Sequence, residues 1–411
     1  MQHFLLFISL CALFMGSAQG AQSPTPTQES DLEFLKRLVS ISSGTSDLAG
    51  VNGVQDAVAL KLKEIGFTVK QFENPDTNQK SGRMLVGEFG AGPKYITLVT
   101  HADTVFEKVN LFSITQDGKT AMGSGVIDNK GGIVVGIAAL REYAKEKKHY
   151  YSLRLVVSPS EETGSRGFAS IFKTLSEESV FLIGLEPALD NGSYVSSRKG
   201  VRWYDVHVNG KESHAGAHHE QGINACDELA IKISKLQALT NYKKGNTVSV
   251  GRMEGGKDKF NIVCGSAEAK IDTRFATLTT AKELFSKIEL VLKTAYVHSA
   301  ETGEKTETHF ETPVDTAPLP ETAQAKKIMS EYVQIVKAIE GRAIHGESTG
   351  GVADLNQMVT KDSVIADGMG PIGGGVHTKE EFLTVKTLKT RAQALAEFLK
   401  LIDQKLKPAA E

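Results

Sequence analysis

The chain is poor in the residues that mark several special classes of protein. Its 411 residues contain three cysteines, eleven prolines and one tryptophan, and 47 basic side chains stand against 49 acidic ones. Three cysteines are too few for a disulfide-stapled scaffold, and so little proline leaves no proline-rich tract. The net charge of -2 lacks the basic excess that favours nucleic acids and anionic membranes, so we expect neither partner. The remaining class is a globular chain that is long enough for about two domains.

Long apolar runs are also scarce, and the one that stands out lies at the N-terminus. Phe4–Met15 is apolar apart from Ser9, is too short to span a bilayer and is followed by small residues up to Gly20. We predict a signal peptide over residues 1–20 and a periplasmic or secreted mature chain without a membrane segment. No Lys or Arg precedes the run, so an uncleaved buried segment is the alternative reading.

The cysteines that remain after such cleavage are Cys226 and Cys264. In an exported protein they could form a disulfide, or they could be two small buried residues. Their spacing alone does not decide between these states.

The first half of the chain alternates short apolar runs with helical patterns. The runs Met84–Phe89, Tyr95–Val99, Leu153–Val157 and Val180–Leu185 are typical of buried strands, and Ile133–Ala144 has the pattern of a helix. Near-continuous apolar strands between helices predict an α/β fold with a central, mostly parallel sheet that helices flank.

The pattern changes near residue 200. Val201–Val208 alternates polar and apolar residues like a half-buried strand, and a helix, two strands and a second helix are predicted after it. This β-α-β-β-α order predicts an α+β sandwich, inserted over residues 200–310. Residues 21–199 and 311–411 would then form the larger α/β domain.

Three predicted strands lead directly into residues that can carry chemistry. His101 and Asp103 follow the first, Glu161 and Glu162 the second, and Glu186 the third. A His-x-Asp pair suits a metal-bound imidazole whose other nitrogen is held by a carboxylate, although a surface histidine is an alternative. Adjacent carboxylates after a buried strand are costly unless they share a cation or a proton, although a solvated turn also accommodates them.

Two glycine-rich loops add one residue each. Gly123–Gly132 contains Asp128 and matches neither a phosphate loop nor a dinucleotide fingerprint, so the aspartate is either a ligand or a helix cap. The loop Gly373–Gly375 precedes His377. Together the five strand-end and loop groups offer two histidines, three carboxylates and one spare acid. That set is sufficient for two metal ions if one carboxylate is shared.

The order of these motifs resembles a known family. H-x-D-x-V, G-x-G-x-x-D-x-K-G-G, E-E-x-G-S-x-G, E-P, S-H-A-G and G-G-G-x-H follow one another from His101 to His377. The series is similar to the dizinc exopeptidases, which include aminoacylase, acetylornithine deacetylase, succinyl-diaminopimelate desuccinylase and glutamate carboxypeptidase. The resemblance is strongest to glutamate carboxypeptidases of the carboxypeptidase G type, in which the ligand at the position of Glu186 is also a glutamate.

The resemblance implies a dizinc catalytic domain with two zinc ions per subunit. It makes Asp128 the bridging ligand, after which the peptide bond to Asn129 tends to be cis. It assigns the terminal ligands and the catalytic residues as follows: His101 and Glu186 on one ion, Glu162 and His377 on the other, Glu161 as general base and Asp103 as the carboxylate that orients His101.

The resemblance also implies substrate contacts and a homodimer that forms through the inserted domain. His214 would polarise the scissile carbonyl, and we expect it to serve the site of the neighbouring subunit. Asn261 and Arg274 would contact the substrate carboxylate, which suits the bidentate grip of an arginine. Gly351 belongs to a loop that would line the substrate pocket.

One departure from the family pattern concerns the substrate side chain. Carboxypeptidase G-type enzymes read it with a lysine shortly after the Glu-Pro ligand, but residues 188–194 contain no lysine. Arg198, Lys199 and Arg202 are nearby substitutes.

The expected function is therefore zinc-dependent hydrolysis of the amide bond to a C-terminal amino acid, with glutamate as one candidate. The substrates would be small peptides, folates or N-acyl amino acids. The alternatives are an N-acyl-amino-acid deacylase and a catalytically inactive binding protein on the same fold.

Overall fold

The structure is a computed structural model that describes residues 29–107, 111–146, 148–360 and 363–407. The predicted signal peptide at residues 1–20 lies outside these ranges. The described residues form eight α-helices: α1 (Asp31–Ser40), α2 (Leu48–Glu64), α3 (Lys130–Tyr143), α4 (Ala169–Glu177), α5 (Ala225–Gln237), α6 (Leu278–Lys293), α7 (Ala323–Glu340) and α8 (Val385–Lys405). Within the described ranges, no helix has the length and apolar character needed to cross a membrane.

The strands of the same ranges fall into four sheets. They are β1 (Thr68–Phe72), β2 (Met84–Phe89), β3 (Tyr95–His101), β4 (Ser113–Ile114), β5 (Thr120–Met122), β6 (Ser152–Ser158), β7 (Ser179–Gly184), β8 (Tyr194–Arg198), β9 (Gly200–Asn209), β10 (Thr247–Gly255), β11 (Ser266–Phe275), β12 (Glu307–Glu311), β13 (Asp315–Thr316), β14 (Gly346–Thr349), β15 (Ile365–Ala366), β16 (Gly373–Gly374) and β17 (Phe382–Thr384).

A six-stranded mixed sheet with the order β1-β2-β6-β3-β7-β15 lies at the centre of the larger unit. β3 runs parallel to β6 and β7, and β7 runs parallel to β15, whereas β1 and β2 are antiparallel at one edge. Successive side chains of the central strands enter different apolar clusters. Leu98 packs with residues of α1, α3 and α8, whereas Val99 packs with Phe172 of α4. Both faces of the sheet are therefore covered, and the predicted α/β class is confirmed.

A second sheet with the order β10-β11-β9-β12 is antiparallel throughout, and β13 also pairs with β9. It has its own apolar cluster, in which Val206 and Ile271 pack with Leu229 of α5 and Ile288 of α6. The predicted order of strands and helices is present. The sheet continues past residue 310, because β12 and β13 return to β9, and the division of the chain at residues 200 and 310 stays a prediction.

A disulfide joins Cys226 to Cys264, with the two Cα atoms 5.7 Å apart. It links the first turn of α5 to the segment just before β11. Of the two states that the sequence left open, the structure contains the paired one.

Candidate active site

The candidate ligands meet because three parallel strands end at the same edge of the central sheet. His101 is the last residue of β3 and lies opposite Ser158, the last residue of β6. Glu161 and Glu162 follow β6 in a short 3-10 helix, and Glu186 follows the end of β7. The predicted grouping of side chains at this edge is therefore present in the structure.

Asp128 lies between the two histidines. Its Oδ1 is 3.0 Å from His101 Nε2, and its Oδ2 is 3.3 Å from His377 Nε2. The peptide bond from Asp128 to Asn129 is cis, as the resemblance implied. His377 comes from the loop between β16 and β17 and has a φ of 65°, a left-handed backbone conformation that is uncommon for residues other than glycine.

Two groups of possible ligands share this aspartate. His101, Asp128 and Glu186 form one group, and Asp128, Glu162 and His377 form the other. Within each group the possible ligand atoms all lie within 4.8 Å of one another. The five residues that the sequence proposed as ligands therefore stand in two overlapping sets, with one carboxylate common to both.

The electrostatics of these groups fit bound cations. Burial raises the pKa of Glu186 to about 8 and also raises the pKa of Glu162, because their negative charges are removed from bulk water. Oε1 of Glu162 is buried and has no hydrogen-bond partner among the residues that the structure describes. Two imidazoles and three carboxylates are donors that divalent transition metals accept, so the residues fit the predicted metal centre.

Asp103 is fully buried behind this centre. Its Oδ1 is 3.3 Å from His101 Nδ1, and its two carboxylate oxygens accept hydrogen bonds from the backbone N–H groups of Glu161 and Glu162. Thr45 Oγ1 donates a further bond of 2.7 Å to Oδ2. His101 Nδ1 is also 3.0 Å from the backbone carbonyl oxygen of Asp103. Asp103 thus fixes both the imidazole of His101 and the turn that carries two other site residues.

Glu161 lines a cavity of about 420 Å³, and the wall of this cavity also includes Asp128, Glu162, Glu186 and His377. Burial raises the pKa of Glu161 well above its ordinary value, opposed by His101 and reinforced by Glu186. A carboxylate with a raised pKa beside a candidate metal centre has the properties of a general base.

The same cavity is also lined by Arg274 and by the single tryptophan of the chain, Trp203. Asp272 accepts a 2.8 Å hydrogen bond from Trp203 Nε1 and bonds from Nε and Nη2 of Arg274. Arg274 Nη1 lies 3.5 Å from the carbonyl oxygen of Gly350, and Gly351 also lines the cavity. Asp272 and the carbonyl oxygen of Gly350 therefore hold the guanidinium of Arg274 in one orientation.

Of the three cations considered as substitutes for the missing lysine, only Arg198 lines the cavity. It is nearly buried, donates from Nε to Asp367 at 2.6 Å and donates from Nη1 to the carbonyl oxygen of Gly351 at 3.3 Å. Arg202 instead pairs with Asp315 and stacks on Phe285.

His214 and Asn261 are exposed and do not line this cavity in the part of the chain that the structure describes. They neighbour one another, because Ala215 N–H donates to the Asn261 carbonyl and residues 214 and 262 form a β-bridge. His214 Nδ1 accepts bonds from the N–H groups of Gly216 and Ala217, which leaves Nε2 directed away from these contacts. The two predicted substrate residues are thus brought together, but outside the site of their own chain.

The structure adds site residues that the sequence reasoning missed. Asp354 is a buried carboxylate in the cavity wall, and burial raises its pKa to about 6. Asn129 donates a 3.0 Å bond to Glu186, and Glu381 accepts backbone hydrogen bonds around Asp128. Each lies within four residues of a motif that the sequence had singled out, so proximity to those motifs was the available signal.

Comparisons with known proteins agree with this geometry. Residues 196–300 match the peptidase dimerisation domain of the M20 peptidases. Carboxypeptidase G2 from Pseudomonas sp. (strain RS-16) is 25% identical over 391 residues, which cover 92% of this chain and 90% of that protein. A succinyl-diaminopimelate desuccinylase from Rickettsia rickettsii is 24% identical over 286 residues, which cover 64% of this chain and 73% of that protein.

Solved structures share the fold. A tripeptidase from Staphylococcus aureus has a TM-score of 0.72 at 21% identity, with 91% of this chain and 98% of that chain covered. An M20 family metallo-carboxypeptidase from Sulfolobus solfataricus has a TM-score of 0.72 at 16% identity, with 91% and 99% covered.

The sequence relatives, the matched domain and the shared fold agree with the resemblance drawn from the motifs. This chain is therefore a hydrolase of peptide or amide bonds that is similar to the M20 peptidases and to carboxypeptidase G.

Proposed function

We propose that this chain is a zinc-dependent exopeptidase with two zinc ions per subunit. It hydrolyses the amide bond to a C-terminal amino acid of small peptides, folates or N-acyl amino acids, and glutamate is one candidate for that amino acid. The observation that carries the proposal is the pair of ligand groups that share Asp128 at the wall of a cavity, with Glu161 beside them.

The chemistry divides between the ions and the side chains. When bound, two divalent cations would polarise the scissile carbonyl and lower the pKa of the attacking water. Glu161 takes the proton of that water and delivers it to the amine that leaves. Asp103 holds His101 and the turn that carries Glu161 in place during this transfer, because it contacts both.

The carboxylate of the substrate is bound by Arg274, which lines the same cavity as the ligand groups. A guanidinium offers a planar pair of donors to a carboxylate, and Asp272 preorganises it through Nε and Nη2. A carboxylate bound there would bring the neighbouring amide bond into the cavity that Asp128 and Glu161 line.

The active molecule is a homodimer, and His214 and Asn261 complete the site of the neighbouring subunit. The match to a peptidase dimerisation domain and the exposure of both residues outside their own cavity support this arrangement. β10 and β12 are the edge strands of the second sheet among the described residues, so a two-fold axis could extend the sheet at either edge.

An N-acyl-amino-acid deacylase is the second candidate, because the segment 188–194 lacks the side-chain-reading lysine. Arg198 occupies the cavity in its place, but its charge is paired with buried Asp367. The two candidates share their chemistry and differ in which side of the amide bond determines the choice of substrate.

We also propose that the mature chain is exported to the periplasm or secreted. The apolar run at residues 4–15 supports this location, and so does the disulfide between Cys226 and Cys264, since disulfides persist in oxidising compartments.

The proposal is tested with Glu161→Gln, which preserves the shape of the side chain but cannot accept a proton. We expect the variant to keep its metal content and to lose roughly two to four decades in kcat on the best substrate. The matched control is Glu177→Gln, an exposed glutamate on α4, which should behave like the wild type. Near-normal turnover by Glu161→Gln would reassign the base.

The substrate class is tested with a panel of N-acyl-glutamates, folates, dipeptides and acetylated amino acids. Dependence on the C-terminal residue supports the carboxypeptidase, and dependence on the acyl group supports the deacylase. Metal binding without turnover of any member would point to a catalytically inactive binding protein and overturn the proposed hydrolysis of these substrates.

A further inference from the structure

Glu381 is a buried carboxylate that is distant in sequence from the residues it contacts. Its Oε1 accepts hydrogen bonds from the backbone N–H groups of Ile127 at 2.9 Å and Asp128 at 3.0 Å. Its Oε2 accepts one from Gly125 N–H at 2.9 Å. Only 1% of the residue is exposed, so these donors have no access to water as an alternative partner.

The small four-stranded sheet explains how this contact arises. β17 pairs antiparallel with β5, and Phe382 lies opposite Met122. Glu381 is the residue before β17. It therefore faces the loop that follows β5, and this loop carries Asp128. A backbone contact of 3.5 Å between Gly123 N–H and the Glu381 carbonyl continues the pairing.

The same glutamate also lies at the end of the loop that carries His377, a possible ligand of the second group. Glu381 N–H donates to the Thr378 carbonyl, and Thr378 N–H donates to the Gly375 carbonyl on the far side of His377. Glu381 is thus attached to the loop of Asp128 by its side chain and to the loop of His377 by its backbone.

We propose that Glu381 is a positioning residue that holds Asp128 in its bridging orientation and ties it to the loop of His377. This inference rests on the proposed two-metal centre. A carboxylate suits the task, because both of its oxygens accept and three donors need acceptors. Glu381 itself does not bind metal, since its oxygens face backbone N–H groups.

The test is the metal affinity of Glu381→Gln. The amide retains one accepting oxygen and places an NH₂ group where the second oxygen stood, so at least one backbone N–H around Asp128 loses its acceptor. We expect the affinity for zinc to fall about 10- to 100-fold, as it does when other carboxylates behind metal ligands are changed. The matched control is the exposed neighbour Glu380→Gln, which should bind zinc like the wild type.

The affinity is measured on metal-free protein at pH 8 by titration with zinc against a competing chelator, beside the circular dichroism of the same samples. An affinity of Glu381→Gln equal to that of Glu380→Gln would overturn the proposal. If Glu381→Gln does not fold, Glu381→Asp is used instead, because it keeps the charge and shortens the side chain. A zinc affinity of Glu381→Asp equal to that of Glu380→Gln would then overturn the proposal. A wild type that binds only one ion would instead contradict the two-metal centre, and it leaves the comparison between the variants readable.

Discussion

The placement of His214 outside its own cavity gives a prediction about subunits that can be worked out quantitatively. If His214 serves the neighbouring chain, each complete site needs Glu161 from one subunit and His214 from the other. Glu161→Gln and His214→Ala should then each be nearly inactive when prepared alone, because every site in either homodimer lacks one of the two residues.

Mixed dimers should recover activity in a fixed proportion. Random pairing of equal amounts makes half of the dimers mixed. Each mixed dimer has one site with both Glu161 and His214 and one site with neither. The recovered activity should therefore approach roughly a quarter of that of the wild type under two-fold symmetric pairing.

The assay is hydrolysis of the best substrate after the two variants are unfolded and refolded together. A tag on one variant confirms by co-purification that mixed dimers have formed. As a control, exposed His219 lies five residues beyond His214, and His219→Ala should remain active. Mixed dimers without any recovered activity would refute the reasoning, because they would show that His214 acts within its own chain.

Three further predictions concern substrate binding, pH and stability. Arg274→Ala should raise KM strongly for substrates with a free carboxylate, and equal cleavage of amidated substrates by the wild type in steady-state assays would contradict this role. In chelator-treated protein, burial raises the pKa of Glu186 to about 8 and hydrogen bonds to carboxylates raise that of His377 to about 10. Stability from raised pKa values is present at low pH and is lost as the pH rises through them, so calorimetry should show the Tm of the metal-free protein falling from about pH 5 to 10 and that of the zinc-loaded protein changing less. Lys232→Met should reduce the free energy of unfolding by about 3–5 kcal/mol in denaturant titrations, because it leaves fully buried Glu228 without its cation and the carbonyls at the end of α6 without their donor; a change below about 1 kcal/mol would contradict this.

The sequence was sufficient to predict the buried strands and the grouping of the residues at their ends. β3, β6 and β7 are covered on both faces, so their apolar runs are nearly continuous, and parallel strands bring the residues that follow them to one edge. β1 was missed because Thr68–Phe72 is an edge strand with alternating polar residues, and β12 was missed because Glu307–Glu311 contains charged residues on its exposed face. Edge strands give a weaker apolar signal because one of their sides lacks a neighbour.

The contacts that the supporting residues of the site make could not be predicted from local patterns. Glu381 reaches the loop of Asp128 only through the pairing of β17 with β5, and Asp272 reaches Trp203 only because the two are cross-strand partners in β11 and β9. Such contacts depend on sheet register between distant segments, which a single sequence does not display. Ligands carry a signature of residue type, whereas a carboxylate that binds backbone N–H groups looks like any other acid.

The most direct test of the two-metal centre is the number of zinc ions bound per chain by the wild type and by Asp128→Ala. We predict two ions per chain for the wild type after equilibration and removal of free metal, as measured by elemental analysis against protein concentration. Asp128→Ala should retain neither ion tightly, because both ligand groups contain this one carboxylate. One ion in the wild type, or two tightly bound ions in Asp128→Ala, would contradict the shared-ligand centre.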